Sequence, residues 1–223
     1  MKNNINSFNI EDKYSNISIA INTSNIEIKT SDNKDTFIQL QKHNRYIPTI
    51  EVKDDILIIN QGKKKWYTYL YPCFKIPHII VNIPKSKLNN LSIKCNTGNI
   101  DISAVSFKDI NIKQNTGKIN LFSLTPNTLT INTRTGKNNL ENVIIKEKLH
   151  ITTNTGKISL DKCDAGEIYI KSNTGNVYGN ILTDKAFVIK CKTGKINIPD
   201  TFSNNKCEII SNTGNIYFET KKN

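Results

Sequence analysis

Seven glycines, each preceded by threonine, recur along the chain: Gly98, Gly117, Gly136, Gly156, Gly175, Gly194 and Gly214, at spacings of 19 or 20 residues. Most stand in the phrase Asn-Thr-Gly followed by Asn or Lys. Glycine beside hydroxyl, amide and ammonium groups could cradle a phosphate. That chemistry needs several close glycines between a strand and a helix N-terminus. Here each glycine stands alone and an alternating apolar pattern follows, so the phrases are assigned to shape. Hydrolysis on a repetitive β-scaffold needs paired carboxylates on one outer face. Three positions after the glycines only Asp101 is acidic; Asn120, Asn139, Ser159, Tyr178, Asn197 and Tyr217 follow it. No enzyme is expected.

The metal and thiol chemistries fare no better. Cys73, Cys95, Cys163, Cys191 and Cys207 are odd in number and show no C-x-x-C spacing. Such cysteines read as small hydrophobes in a reducing compartment. His43, His78 and His150 are far apart, so neither a metal nor another cofactor is expected.

Charge is the remaining candidate. The chain carries 31 Lys and Arg against 19 acids, a net charge of +12. Arginine supplies only Arg45 and Arg134, and an AT-rich coding bias would give such lysine richness without selection for anions. The placement is more telling. From four residues before each glycine to one after it, the seven windows hold ten basic residues and no acid. Lys94, Lys113, Lys118, Lys137, Lys157, Lys171, Lys190 and Lys195 are the candidate binding residues; Arg134 and Lys192 complete the ten. Acids gather elsewhere, as Asp109, Asp161, Asp164, Glu167, Asp184 and Asp200. A basic edge either attracts a polyanion or serves as a solvated rim against sideways aggregation.

A second candidate is the stretch GKKKWYTYLYPCFKIP, residues 62–77, with Trp66, Tyr67 and Tyr69 behind three lysines. It suits a cap on an open end of the molecule, or a contact with an anionic membrane or a partner protein. Nucleic acid is the least favoured partner.

These residues need a scaffold, and the repeat supplies it. Five before each glycine stands an isoleucine: Ile93, Ile112, Ile131, Ile151, Ile170, Ile189 and Ile209. Further apolar rows lie seven before, two after and four after, with polar residues between. This is the period-two alternation of half-buried strands. Inward positions three before and two after are an odd number apart, so the chain must bend at the glycine. Another apolar row, seven after, runs Val105, Leu124, Val143, Cys163 and Leu182 and marks a second corner. One unit cannot bury these rows alone, whereas stacked units can.

The fold expected is all-β: a single-chain β-solenoid, β-helix-like, of roughly 19-residue coils with a less regular strand-rich N-terminal part. About eight coils at ~4.8 Å would give a rod core of roughly 40 Å. Each isoleucine of the minus-five row should touch its copies above and below, and the Asn before each Thr should ladder with its copies. Residues 1–90 form the irregular N-terminal part and cap, 91–218 the regular repeats, and 219–223 a charged tail. Asn16–Thr30 reads as a further coil with Ser24 in the glycine position, and residues 49–60 as a hairpin across Asp54 and Asp55.

The order of a basic-aromatic segment, a strand end at Val81-Asn82-Ile83-Pro84, and tandem strand repeats turning on Thr-Gly resembles the bacterial "putative adhesin" domain-of-unknown-function family of β-strand-repeat proteins. The likeness runs from about Asp54 to Phe218. It implies a non-enzymatic binding or scaffold module of the cell envelope and offers no catalytic residues to carry over. The alternative is a self-assembling structural rod, cytoskeleton-like, that joins end to end. The first sixteen residues lack an apolar core and no run approaches the ~20 apolar residues of a membrane span. The expected location is therefore cytoplasmic or membrane-peripheral.

Overall fold

The computed structural model describes residues 5–41, 47–62 and 76–220. Trp66, Tyr67, Tyr69 and most of the aromatic stretch lie outside the described residues. Strands make up roughly three-quarters of the described residues, and no helix is among them. The N-terminal part gives β1 (Ile5–Ile10), β2 (Asn16–Thr23), β3 (Asn25–Ser31), β4 (Thr36–Gln41), β5 (Thr49–Lys53), β6 (Ile56–Asn60) and β7 (His78–Pro84). The repeats give β8 (Lys87–Thr97), β9 (Ile100–Ser103), β10 (Ser106–Thr116), β11 (Ile119–Leu124), β12 (Thr128–Thr135), β13 (Asn138–Thr155) and β14 (Ile158–Thr174). They continue with β15 (Val177–Ile181), β16 (Ala186–Thr193), β17 (Ile196–Asn197), β18 (Lys206–Thr213) and β19 (Ile216–Thr220).

The strands form two parallel faces with the core between them. In each coil a strand of the first face ends at the Thr-Gly corner, and a strand of the second face follows. A second corner then returns the chain to the first face. β13 and β14 run through that second corner without a break, so each belongs to both faces. Ile112 pairs with Ile93 on one side and Ile131 on the other, and Ile131 with Ile151. All four are fully buried. Burying one such side chain stabilises by ~1.5–3 kcal/mol, so the isoleucine ladder is one of several buried rows that hold the coils together.

The order of stacking departs from the order of the sequence at both ends. Ile170 pairs with Ile209, and Ile209 with Ile189. The coil of β18 and β19 is therefore inserted between the coil ending in β15 and the coil of β16 and β17. At the other end β2 lies between β6 and β8, and β3 between β7 and β9. The minus-five ladder thus runs Ile59, Ile19, Ile93, Ile112, Ile131, Ile151, Ile170, Ile209, Ile189. Ile170 and Ile189 do not touch as sequence order implies, because the repeats present the same apolar side chains and either can pair with Ile209.

The second corner is built from L-residues in the left-handed region. Ala104, Ser123, Asn142 and Lys162 have φ between 50° and 55°. Beyond it Val105, Leu124, Val143 and Cys163 are buried as expected. Leu182 is only half-buried; a register shift gives its slot to Ile181, which pairs with Cys163. Two residues further on, Phe107, Pro126, Ile145 and Ala165 form another buried row. The sequence hides that row because proline and alanine do not read as part of an apolar stripe.

Candidate functional site

The Thr-Gly corner is where the basic residues converge, and its backbone explains its glycines. All seven have φ between 138° and 154°, a range that L-residues scarcely adopt. They also stack on one another. A Cβ on Gly156 would lie 1.6 Å from the carbonyl oxygen of Gly136, and one on Gly136 would lie 1.7 Å from that of Gly117. Backbone conformation and close approach therefore both demand glycine. Where Ser24 stands in the column, it is Gly98 of the next coil that has no room for a side chain, its Cβ position 1.9 Å from the Ser24 carbonyl oxygen.

The asparagines tie the corners together. Asn115 Nδ2 donates to Asn96 Oδ1 at 2.6 Å, Asn173 to Asn154 at 3.1 Å, and Asn212 to Asn173 at 2.6 Å. Arg134 interrupts this ladder between Asn115 and Asn154. One residue past the glycine, Asn99 accepts the Lys118 N–H at 3.1 Å and Asn215 the Lys195 N–H at 2.9 Å. The corner is a polar seam in which side-chain amides bond their copies one coil away.

The lysines fall into two rows on opposite sides of this seam. Four residues before the glycine the outward row along the stack reads Asn60, Ala20, Lys94, Lys113, Asn132, Thr152, Lys171, Ile210, Lys190. One residue after it, Lys118, Lys137 and Lys157 occupy three consecutive coils, and Lys195 lies at the far end. All eight candidate lysines are exposed. None enters an ion pair among the described residues, whose pairs include Lys148–Glu167, Lys185–Asp164 and Lys206–Glu208. Lys157 instead sits 4.3 Å above the Tyr178 ring. Lys190 is set apart from Lys171 by Ile210, and it faces an acid: the Glu208 carboxyl is held below its usual range chiefly by the hydrogen bond from Lys206, with a smaller pull from Lys190.

Between the minus-four and minus-two rows the inward pleat leaves a trough of about 1130 Å³. It runs across eight strands, from Asn60 and Gly62 to Ile210 and Asn212. The sequence windows pooled both sides of the corner and so missed it. Alternation alone would have separated the two outward positions before the glycine from the one after it.

The buried thiols have no reactive character. Desolvation pushes Cys95 and Cys163 up to about 11 and Cys207 up to about 12. A thiol so far above neutral pH stays protonated there and is a poor nucleophile. Among the described residues no three His, Cys, Asp or Glu side chains converge as a metal site would require.

Residues 14–223 match the model of the Toastrack DUF4097 family. Among solved structures the chain is similar to one described as a putative adhesin from Bacteroides fragilis, at 18% identity and a TM-score of 0.56, covering 98% of this chain and 97% of that one. It is also similar to a putative cell adhesion protein from Clostridium sporogenes, at 13% identity and TM-score 0.43 over 99% and 100% of the two chains. A putative lipid binding protein from Parabacteroides distasonis matches at 12% identity and TM-score 0.42 over 98% and 97%. No curated protein matches.

Proposed function

We propose that this chain, which belongs to the Toastrack DUF4097 family, is a non-enzymatic envelope-associated binding or scaffold module, cytoplasmic or membrane-peripheral, that attracts anionic partners through the lysines of its glycine corner. The observation that carries the reading is Lys118, Lys137 and Lys157 in consecutive coils, with Lys94 and Lys113 adjacent across the seam and no carboxylate paired to any of them among the described residues. Like charges on neighbouring strands repel. Holding them together costs stability that an anionic surface or polymer recovers on binding. Neighbours named for adhesion are in keeping with a binding role.

Charge reversal tests this. Lys113, Lys118 and Lys137 changed together to Glu should abolish binding to anionic vesicles and to acidic polymers. The exposed control set Lys108, Lys146 and Lys162 should keep most of it. Binding should also weaken steeply once the Debye length falls to ~10 Å. Equal loss from both sets would reduce the effect to net charge. The alternative, a rod growing end to end, predicts long assemblies in sedimentation of the purified chain; β16 and β17 give it a parallel edge with no further partner among the described residues, but it faces antiparallel strands at the other end.

A further inference from the structure

The trough differs from the rest of the basic corner in shape and lining. Lys94, Lys113, Arg134 and Lys171 line it, and no carboxylate does so among the described residues. At ~4.8 Å per strand its eight strands extend over roughly 34 Å. The cations stand on the first, second, third and fifth strands from Lys94, the three lysines on the minus-four wall and Arg134 on the minus-two wall, so their charge is spread along the trough. Between them stand asparagines. An asparagine inside the ladder, such as Asn173, spends one N–H on Asn154 and one oxygen lone pair on Asn212. An amide has a second N–H and a second lone pair, and here neither has a hydrogen-bond partner among the described residues. The lining therefore offers regularly spaced donors and acceptors together with widely spaced positive charge.

We propose that the trough binds a single extended chain of an acidic polysaccharide, laid across the coils, with its hydroxyls on the asparagine amides and its carboxylates on Lys94, Lys113, Arg134 and Lys171. The inference rests on the basic-corner reading and narrows it to one side of the seam. A channel one side-chain row wide admits one polymer chain, whereas a bilayer presents a plane that engages both lysine rows alike. Single-stranded nucleic acid needs aromatic faces for base stacking, and no aromatic residue lines the trough among the described residues. Amides suit hydroxyl-rich ligands because each carboxamide donates and accepts at once.

The test uses the full chain and fluorescein-labelled oligogalacturonate, read by fluorescence polarisation at low salt. Maltoheptaose, phosphatidylglycerol vesicles and oligothymidylate are the comparison ligands. Lys113→Glu with Lys171→Glu should weaken oligogalacturonate by about tenfold or more, and Lys118→Glu with Lys157→Glu by less than about threefold. Asn154→Leu changes no charge; it should weaken oligogalacturonate and leave vesicle binding unaltered. All these side chains are exposed, and thermal melts confirm that the variants fold. Equal losses from the two lysine pairs, no effect of Asn154→Leu, tighter binding of vesicles or oligothymidylate, or no binding of oligogalacturonate would each overturn the proposal. Vesicle binding that still depends on the corner lysines would leave the broader reading standing.

Discussion

The two ends of the solenoid solve one problem differently. At one end the outermost coil, β6 and β7, is extended on both faces by antiparallel strands: β5 on β6, and β4 followed by β1 on β7. Ile59, at that end of the isoleucine ladder, is fully buried. At the other end β16 pairs only with β18 and β17 only with β19 among the described residues. There Ile189 is half-buried, Val188 is 40% exposed and Ile196 48% exposed. Strand reversal moves the edge outward, to β5 and β1, so that the last coil is covered without another coil being added. The bare edge relies on Lys190, Lys192 and Lys195, charges that discourage pairing with a second chain. The same apolar ladder thus ends once in a closed core and once at a surface.

The strongest way to break this comparison is to place the same charge at both ends. Ile59→Asp should cost several kcal/mol, since an unpaired buried carboxylate must either be desolvated or take up a proton. Ile189→Asp should cost less than half as much, because water already reaches that coil. Urea unfolding of the two variants measures the difference. Equal costs would mean that the bare edge is covered in solution.

A smaller effect is expected where the chain bypasses a coil. Lys185, in the link from β15 to β16, is 1% exposed, and its Nζ lies 2.7 Å from Asp164 Oδ1 and donates to Thr183 Oγ1 at 2.7 Å. Its carbonyl accepts from Thr201 Oγ1 at 2.8 Å. This pair pins the crossing link to β14. Lys185→Met should cost about 3 kcal/mol by stranding the carboxylate and should loosen β16 and β17 ahead of the other coils, read as earlier hydrogen exchange there.

The smallest contrast between the two ends concerns the corners. Gly156→Val, in the middle of the stack, should cost several kcal/mol, roughly 1–3 from strain at its positive φ and at least as much from the overlap with the Gly136 carbonyl. Gly194→Val should cost less, although its Cβ would meet the Gly214 carbonyl oxygen at 2.1 Å, because the outermost coil can shift outward. Thermal melts of the two variants rank them.

Much of this architecture is legible in the sequence. The minus-five isoleucines and the Thr-Gly spacing specify coils, corners and inward rows, because each follows from alternation and from one residue type. Coil order is not legible in either. Ile170, Ile189 and Ile209 sit in equivalent frames and do not distinguish a neighbour one repeat away from one two repeats away; the local mark of the insertion is Gly179, whose missing side chain leaves room for the ring of its partner Phe218. Asn138 is a similar case. It stands fully buried between Ile119 and Ile158, where its Nδ2 donates to Thr133 Oγ1 at 2.9 Å; the row predicts an apolar residue, and the local partner that tolerates the amide lies on the facing strand. The lysines were legible as a group, but their division by the seam depends on which face each alternating position takes.

The insertion of β18 and β19 inside β16 and β17 has a consequence for synthesis. A solenoid that stacked in sequence order could grow as it left the ribosome, each coil docking on the one before. Here strands made later must occupy a place inward of strands made earlier. β16 and β17 cannot take up their final partners until β18 and β19 have emerged. A chain stalled before Lys206 would hold a coil with no finished surface to rest on, or would dock it one place too far in and have to release it. Vectorial folding can therefore proceed through the central coils, but the far end must wait for translation to pass it.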